Sequence, residues 1–409
     1  MKSKHEPRTR NAVPPPKGSS AKAKSKKIKK KLSPQRVREY VESIFGPTEH
    51  ARRVESLANA VVGITHVAVL AIHAIGQAYA QVRGISGKSG VKQIDRLLSN
   101  GNLVLDSTLK AWVAFVVGVR REIVIALDWT DFDDDRQTTL AAYLVTHHGR
   151  ATPLAWKTHD QSTLKGHQKR YEQELIEQLH GWLGPEVRVT LLADRGFGDQ
   201  KLYDLLLSLG WDFVIRFRGA ILVTSAEGES KTAQEWVSLT GRAKMLRGAK
   251  VTADQFAVPA VVVAWDRKMK EPWCLATTLS ELTASGVVKR YGKRFTIEET
   301  FRDQKDLHFG MGLKATHIGK PARRDRLLLL AALAQALMTL LGAAAEEAKL
   351  DRYLKVNTVK RRTHSLFRQG LYWYHAIPNM RREWLVPLMT AFDRIVREHA
   401  VFCEIFGTI

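Results

Sequence analysis

Cysteine is almost missing from this sequence, which has Cys274 and Cys403 as its two cysteines among 409 residues. Two cysteines so far apart offer neither a disulfide framework nor a cysteine-based zinc site. The N-terminus is charged and has no apolar segment of the kind that a secretion signal requires. We therefore expect a protein of the reducing cytoplasm.

Long apolar runs are also scarce. The stretch from Leu327 to Ala345 is long enough to cross a membrane, but it is rich in alanine and includes Gln335, Thr339 and Gly342. It stands alone in a composition that is otherwise typical of a soluble protein. The run therefore predicts a buried core helix, and we expect no membrane partner.

Acidic residues are outnumbered, with 41 Asp and Glu against 64 Lys and Arg and a formal net charge of +23. A charge of this sign attracts polyanions, so nucleic acid is the natural partner. Residues 1–32 hold 12 Lys or Arg, one Glu and a run of three prolines, a composition that predicts a disordered basic tail. The tail is either solubilising or a non-specific DNA arm.

The predicted secondary structure of the remaining chain changes along its length. Helical patterns at about 49–82, 89–99 and 106–119, after a helix that begins at Ser33-Pro34, predict a helical N-terminal DNA-binding domain over residues 33–120. Residues 121–219 read as strands and helices in the order βββαβαβ, with strands near 123–127, 139–145, 152–157, 187–193 and 212–218. We expect an α/β core with a mixed five-stranded sheet.

A second part of this core is expected further along the chain. Residues 220–289 are rich in Gly, Ser and Thr with short β-like runs, which predicts a β-rich insertion. A long helix beginning near Tyr291 then belongs to the second part of the core, at 290–348, and residues 349–409 form a helical C-terminal region.

Two acidic residues each follow an apolar strand pattern: Asp128 comes after Ile123 to Leu127, and Asp194 comes after Val187 to Ala193. The carboxyl ends of strands in an open α/β sheet present side chains to ligands. An Asp in this position is also common as a turn or cap residue. Two of them on neighbouring strands favour a functional pair.

A third acid lies on the predicted helix. Tyr291, Arg294, Glu298 and Lys305 fall within about 60° of one another at about 100° per residue, and Arg302 joins the same face. Glu299 points about 100° away from Glu298, so this geometry selects Glu298 as the inward acid. A solvated helix with ion pairs between successive turns is the alternative interpretation.

Carboxylates from two strands and a helix would surround a pair of divalent ions roughly 3.5–4 Å apart. This arrangement suits in-line displacement at a phosphodiester, and Mg²⁺ is the expected metal, with Mn²⁺ as a substitute. Arg294 and Lys305 would then hold phosphate oxygens beside the bond that is cut.

The three acids and their surroundings resemble a known family. Asp128 lies in Leu-Asp-Trp-Thr, Asp194 lies in Ala-Asp-Arg-Gly-Phe, and the helix carries the spacing Y-(2)-R-(3)-E-(6)-K. The pattern is similar to that of DDE transposases of the insertion sequence four family, and the resemblance runs from about residue 50 to the C-terminus.

The resemblance implies an RNase H-like core, with Asp128, Asp194 and Glu298 as catalytic metal ligands and Tyr291, Arg294, Arg302 and Lys305 as phosphate-binding residues. It implies cut-and-paste DNA transposition by a homodimer that holds two DNA ends, in a prokaryotic cytoplasm in association with the nucleoid. Trp273 is the candidate for stacking on a flipped base during hairpin formation, although it could equally be a core residue.

Other basic residues are weaker candidates for DNA contacts. Arg216 and Arg218 alternate on a strand, and Arg52, Arg53, Lys92 and Arg96 lie in the helical N-terminal part. Ordinary surface charge is the competing interpretation for each of them. For the whole protein, the alternatives to a transposase are a DNA-binding protein without catalysis and a simple nuclease.

Overall fold

The computed structural model describes residues 34–238, 240–266, 269–308 and 310–397. The predicted basic tail at 1–32 and Cys403 lie outside these residues. The N-terminal part is helical, as predicted, and comprises α1 (Pro34–Phe45), α2 (Ala51–Val67), α3 (Ile72–Arg83), α4 (Gly87–Leu98) and α5 (Leu105–Val117). The single helical pattern at about 49–82 is two helices, because the chain turns through a left-handed residue at Ala68.

The predicted order βββαβαβ is present. It comprises β1 (Glu122–Phe132), β2 (Gln137–Val145), β3 (Ala151–Asp160), α6 (Gln168–Trp182), β4 (Arg188–Ala193), α7 (Gln200–Ser208) and β5 (Asp212–Phe217). Neighbours in the sheet run β3, β2, β1, β4 and β5. The first three strands pair antiparallel, whereas β4 pairs parallel to both β1 and β5.

The expectation of a five-stranded sheet is wrong, because the sheet has eight strands. The segment predicted as an insertion forms β6 (Leu222–Thr224), β7 (Ser230–Thr232), β8 (Lys244–Arg247), β9 (Lys250–Val251), β10 (Phe256–Ala257), β11 (Ala260–Ala264) and β12 (Trp273–Thr277). Strand β12 pairs antiparallel with β5, and β11 and β8 continue the sheet beyond it. These strands cover the backbone groups that an edge at β5 would leave unpaired. The other four strands form a separate small sheet.

The long helix expected from near Tyr291 is also interrupted. Helix α8 (Ala284–Gly292) ends before a 3₁₀ turn at Lys293–Phe295, and α9 (Thr296–Lys305) follows. Glycine is a weak helix former, and a tighter turn is common where helices end. Arg294 lies in this turn and still pairs with Glu298, four residues further on.

The C-terminal part is helical and contains α10 (Pro321–Glu347), α11 (Leu366–Ala376) and α12 (Arg382–Arg397). Helix α10 is the one helix of the described residues that is long and apolar enough to cross a membrane, and nearly all its apolar side chains are buried inside the fold. It packs against α11, α12, α2 and β3. The apolar run is thus the core of this protein, as its composition indicated.

Candidate active site

Asp128 and Asp194 lie at the same edge of the sheet. Strands β1 and β4 are parallel, and the last paired residues are Leu127 and Ala193, so the two aspartates are the next residues on adjacent strands. Contrary to the sequence interpretation, β1 does not end at Asp128 but continues to Phe132 through its pairing with β2. Asp194 does end its strand, and its Oδ1 accepts a hydrogen bond of 2.8 Å from the Gly196 amide.

Glu298 reaches this edge through a shared arginine. Arg294 Nη1 donates to Asp128 Oδ2 at 3.2 Å, and Arg294 Nη2 donates to Glu298 Oε1 at 2.6 Å. The arginine side chain is 6% exposed, whereas that of Glu298 is 49% exposed. One buried guanidinium therefore joins an acid of the sheet to an acid of the helix.

Glu299 belongs to a different cluster. Its carboxylate is 3.4 Å from Arg150 and also pairs with Arg302. Arg302 is exposed and contacts Glu299 rather than Glu298. The two neighbouring glutamates thus point to different surroundings, with Glu298 toward Asp128.

The acids of the site act on one another electrostatically. Burial raises the pKa of Asp128 to about 7, the charge of Arg294 opposes this rise, and the charges of Asp194 and Glu298 add to it. In a partly buried site, an added cation stabilises the ionised form of a carboxyl group that lies near other negative charges. The three acids form one charge-coupled group.

Lys305 lies seven residues after Glu298, about two turns along α9. Its Nζ donates to Thr130 Oγ1 at 3.0 Å and to the Asp131 carbonyl at 2.6 Å, and it lies 4.7 Å from the Phe132 ring centre. Burial lowers the pKa of this lysine. Thr130 is two residues from Asp128 on β1 and so projects from the same side of the sheet. Lys305 therefore adds a cation beside the carboxylates.

Aromatic rings line the site behind Arg294. Tyr291 is 1% exposed, and its ring meets that of Trp273 edge-on at 4.8 Å. The ring of Phe295 is 6.0 Å from Trp273 and 4.9 Å from the Arg294 guanidinium. Trp273 is partly buried at the start of β12 and packs against the hydrophobic core.

The remaining candidates lie farther from the acids. Arg216 is bound to Glu271 at 2.8 Å, and Arg218 is exposed just beyond the end of β5, so the two do not alternate along one strand as expected. Arg53 pairs with Glu49 at 2.6 Å. The exposed residues Arg52, Lys92 and Arg96 lie on α2 and α4.

Sequence reasoning missed a polar group that braces both aspartates. Glu172 on α6 accepts a hydrogen bond from Trp129 Nε1 at 2.9 Å, and Lys169 binds Glu172 at 3.1 Å and the Gly196 carbonyl at 2.7 Å. Trp129 follows Asp128, and Gly196 belongs to the turn that Asp194 caps. A signal for this group was present, because Glu172 falls among the apolar residues on the buried face of its helix.

The donor chemistry of the site suits a hard divalent cation, since all three acids offer carboxylate oxygens and the charges of Asp194 and Glu298 act on Asp128. Within the described part of the chain, no three His, Cys, Asp or Glu side chains are gathered closely enough to hold an ion. Arg294 instead supplies the positive charge between Asp128 and Glu298. The carboxylates fit a metal chemically, and metal binding would require Arg294 to move.

Comparison with models of protein families gives a match to this chain. A family model described as the transposase DDE domain matches residues 120–337, more than half of the chain. The match covers β1 to β5, the strands that extend the sheet and the segment with Glu298. A search of curated proteins finds no match.

Proposed function

Because the chain belongs to the family of transposases that carry the DDE domain, which act on DNA, we propose that it catalyses cut-and-paste transposition of an insertion sequence. The enzyme hydrolyses the DNA at each end of the element and joins the freed 3′-hydroxyl ends to target DNA. The observation that carries this proposal is the convergence of Asp128 and Asp194 at one sheet edge, with Glu298 linked to Asp128 through Arg294.

The catalytic core is RNase H-like in this proposal. The neighbour order β3, β2, β1, β4 and β5, with two antiparallel pairs followed by two parallel pairs, supports it. The Y-(2)-R-(3)-E-(6)-K spacing supports membership of the insertion sequence four group. The domains proposed are a basic tail at 1–32, a DNA-binding domain at 33–120, a core at 121–219 and 290–348, an insertion at 220–289 and a C-terminal region at 349–409.

Asp128, Asp194 and Glu298 are the proposed ligands of two Mg²⁺ ions, which Mn²⁺ may replace. When bound, the ions would supply Lewis acidity at the scissile phosphate and ease deprotonation of the attacking oxygen. Trp129, Glu172 and Lys169 would keep the two aspartates in place through the hydrogen bonds that brace them. This outer layer of contacts controls how well carboxylates are oriented.

Four residues are proposed to bind DNA phosphates: Tyr291, Arg294, Arg302 and Lys305. Arg294 and Lys305 lie closest to the acids and are the candidates for oxygens next to the cleaved bond. Tyr291 is buried against Arg294, so its proposed part in phosphate binding is to support the Arg294 side chain. Arg302 is exposed and would contact DNA farther from the cut.

Trp273 is proposed as the aromatic residue that stacks on a flipped base. Its partial exposure next to Phe295, 6.0 Å away, supports a place for a base beside the site. Its packing on Tyr291 equally suits a core role. Trp273→Ala tests the assignment through hairpin formation, and normal hairpins in this variant would reject it.

The proposed partners are duplex DNA from the element's ends and its target, bound by a homodimer, in a prokaryotic cytoplasm in association with the nucleoid and without a membrane partner. Arg52, Arg53, Lys92, Arg96, Arg216 and Arg218 remain candidates for DNA contacts. The net charge of +23 supports a polyanionic partner.

The decisive experiment compares Glu298→Gln with the adjacent control Glu299→Gln. Strand cleavage and strand transfer are measured on DNA that carries the element's ends, with Mg²⁺ or Mn²⁺. We expect Glu298→Gln to abolish both reactions while DNA binding persists, and Glu299→Gln to retain them. Activity in both variants would refute the site.

The same assay separates the two alternative functions. If the protein binds DNA without catalysis, the wild-type protein will leave the DNA uncut. A simple nuclease would cleave the DNA but would not join a 3′-hydroxyl end to a plasmid.

A further inference from the structure

Helices α3 and α4 form a tight helical pair. Three residues, Gly84 to Ser86, connect them. Gly84 ends α3 in the left-handed conformation at φ 66°, and Ser86 begins α4 by accepting a hydrogen bond of 3.2 Å from the Ser89 amide. A glycine that ends one helix, followed two residues later by a serine that caps the next, fixes where the two helices end and begin. Two helices joined by such a short turn are typical of a DNA-binding helix-turn-helix.

Glycines hold the two helices in backbone contact. A Cβ atom on Gly90 would lie 2.2 Å from the Gly76 carbonyl oxygen, and one on Gly76 would lie 2.4 Å from the Val91 Cα. No side chain larger than glycine fits at this crossing. The pair is therefore closely packed, and α4 has one defined orientation on α3.

This packing leaves a polar face of α4 in solvent. The buried residues are Gly90, Ile94, Leu97 and Leu98. The exposed face includes Lys88, Ser89, Lys92, Gln93 and Arg96. At about 100° per residue these five lie within an arc of about 140°. The acidic Asp95 is bound to Arg323 at 2.7 Å, so the exposed face has a positive balance.

The polar surface continues onto α2. Ser56 and Asn59 line a groove together with Gln93 and Arg96. Arg52, one turn before Ser56, is exposed at the start of the same helix. A basic and amide-rich surface of this width fits the edges and backbone of a duplex better than an apolar partner.

We propose that α4 is the helix that enters the major groove of duplex DNA and reads its sequence. The groove admits one α-helix. Gln93 and Arg96 are assigned to base edges, since amides pair with adenine and guanidinium groups pair with guanine. Lys88 and Lys92 are assigned to phosphates. This inference rests on the proposed function and specifies which helix recognises the DNA ends.

The reading helix is connected to the proposed active site by two consecutive arginines. Arg323 on α10 binds Asp95 of α4 and the hydroxyl of Ser99. Arg324, the next residue, donates to Gln137 at 2.7 Å and pairs with Asp135 in the turn that follows β1. The strand that carries Asp128 is thus linked to α4 through a short series of charged contacts. The cleaved bond accordingly lies at a set distance from the recognised sequence.

The test measures DNA binding in EDTA, where no metal-dependent reaction can occur. The full chain first selects duplexes from a random-sequence library. Dissociation constants are then measured by fluorescence anisotropy for the selected duplex and for a scrambled duplex of the same composition. Lys110→Ala, an exposed lysine on α5, is the matched control.

We expect Gln93→Ala and Arg96→Ala to weaken binding of the selected duplex by about ten- to a hundredfold each, and to leave the scrambled duplex nearly unaffected. A repeated selection with each variant should lose the preference at one base position. Lys88→Ala and Lys92→Ala should weaken binding of both duplexes and each reduce the salt dependence by about one charge. The control should match wild type.

The assignment is overturned if Gln93→Ala and Arg96→Ala both retain the affinity for the selected duplex and the base preference. It is also overturned if Arg52→Ala alone loses the preference, since that result would point to α2. Glu298→Gln separates this failure from that of the proposed function, because it should bind the selected duplex normally. If the wild type cleaves DNA with metal but the α4 variants bind DNA normally, only the assignment of α4 as the reading helix is refuted.

Discussion

Arg294 holds Asp128 and Glu298 together, with hydrogen bonds of 3.2 Å and 2.6 Å from the two terminal nitrogens of one guanidinium. Through its charge, Arg294 opposes protonation of Asp128. It also competes with any other cation for the same oxygens. A DNA phosphate that attracts Arg294 would release the carboxylates, so the contact can couple DNA binding to metal binding.

Removal of Arg294 tests this competition. Arg294→Gln should bind Mn²⁺ about tenfold more tightly than wild type when DNA is absent, equivalent to about 1.4 kcal/mol. Calorimetric titration measures the affinity. Arg302→Gln, which removes the partner of Glu299 instead, should leave it unchanged. Equal affinity in wild type and Arg294→Gln would contradict the competition.

Lys305 provides a second test of the site. Lys305→Met removes a cation that hydrogen-bonds Thr130 and Asp131 next to Asp128. Loss of one charged donor near developing negative charge lowers a rate by roughly a hundredfold, so we expect that loss in single-turnover DNA cleavage. Lys201→Met on the exposed face of α7 is the control. Wild-type cleavage by Lys305→Met would remove this lysine from the proposed machinery.

Asp325 makes stability depend on pH. This residue is 2% exposed, and burial raises its pKa to about 7, although it accepts a hydrogen bond of 2.9 Å from the Thr158 amide. A carboxyl whose pKa is higher in the folded state stabilises the fold most below its unfolded pKa, and the contribution is lost as pH rises through about 7. Wild type should therefore lose stability through this group as pH rises from the ordinary pKa of 3.8 to about 7.

Asp325→Asn should remove this dependence, because the amide stays neutral and can still accept from Thr158. The free energy of unfolding is measured in urea at several pH values. As pH rises, the free energy of unfolding of the variant should increase relative to that of wild type by up to a few kcal/mol. The exposed Asp134→Asn is the control. Parallel stability profiles for Asp325→Asn and wild type would show that the folded state does not raise this pKa.

Glycine at the crossing of α10 and α11 is a test of packing. A Cβ on Gly342 would lie 1.9 Å from the Leu366 carbonyl oxygen, which is backbone and cannot rotate away. Gly342→Ala should lower stability by about 1–3 kcal/mol or more, seen as a lower melting temperature. Gly319→Ala, where no atom lies within 4 Å of the added carbon, should melt like wild type. A normal melting temperature for Gly342→Ala would mean that the helices separate easily.

Several features of the fold were predictable because they depend on local sequence. The apolar runs before Asp128 and Asp194 predicted strands that the structure contains, and their parallel pairing brings both acids to one edge. The run in α10 predicted a buried helix. The direction of Glu298 relative to Glu299 followed from helical periodicity, which acts within a few residues.

Other features could not be predicted from local patterns. The extension of the sheet depends on the pairing of Leu275 with Arg216, which lie 59 positions apart in sequence. The 3₁₀ turn at Lys293–Phe295 interrupts a segment that reads as one helix. The hydrogen bond from Trp129 to Glu172 joins a strand to a helix, and no spacing rule relates the two.

The sequence by itself determined the charge of the protein, the strands that end in acids, the buried helix and the motif that identifies the family. Periodicity, composition and spacing are properties of neighbouring residues, and these features follow from them. The tertiary structure decided which groups meet: Arg294 between Asp128 and Glu298, Lys305 beside Thr130, and Arg323 on Asp95. Such contacts arise from the packing of distant segments, because the partner of a charged side chain is set by the fold that surrounds it.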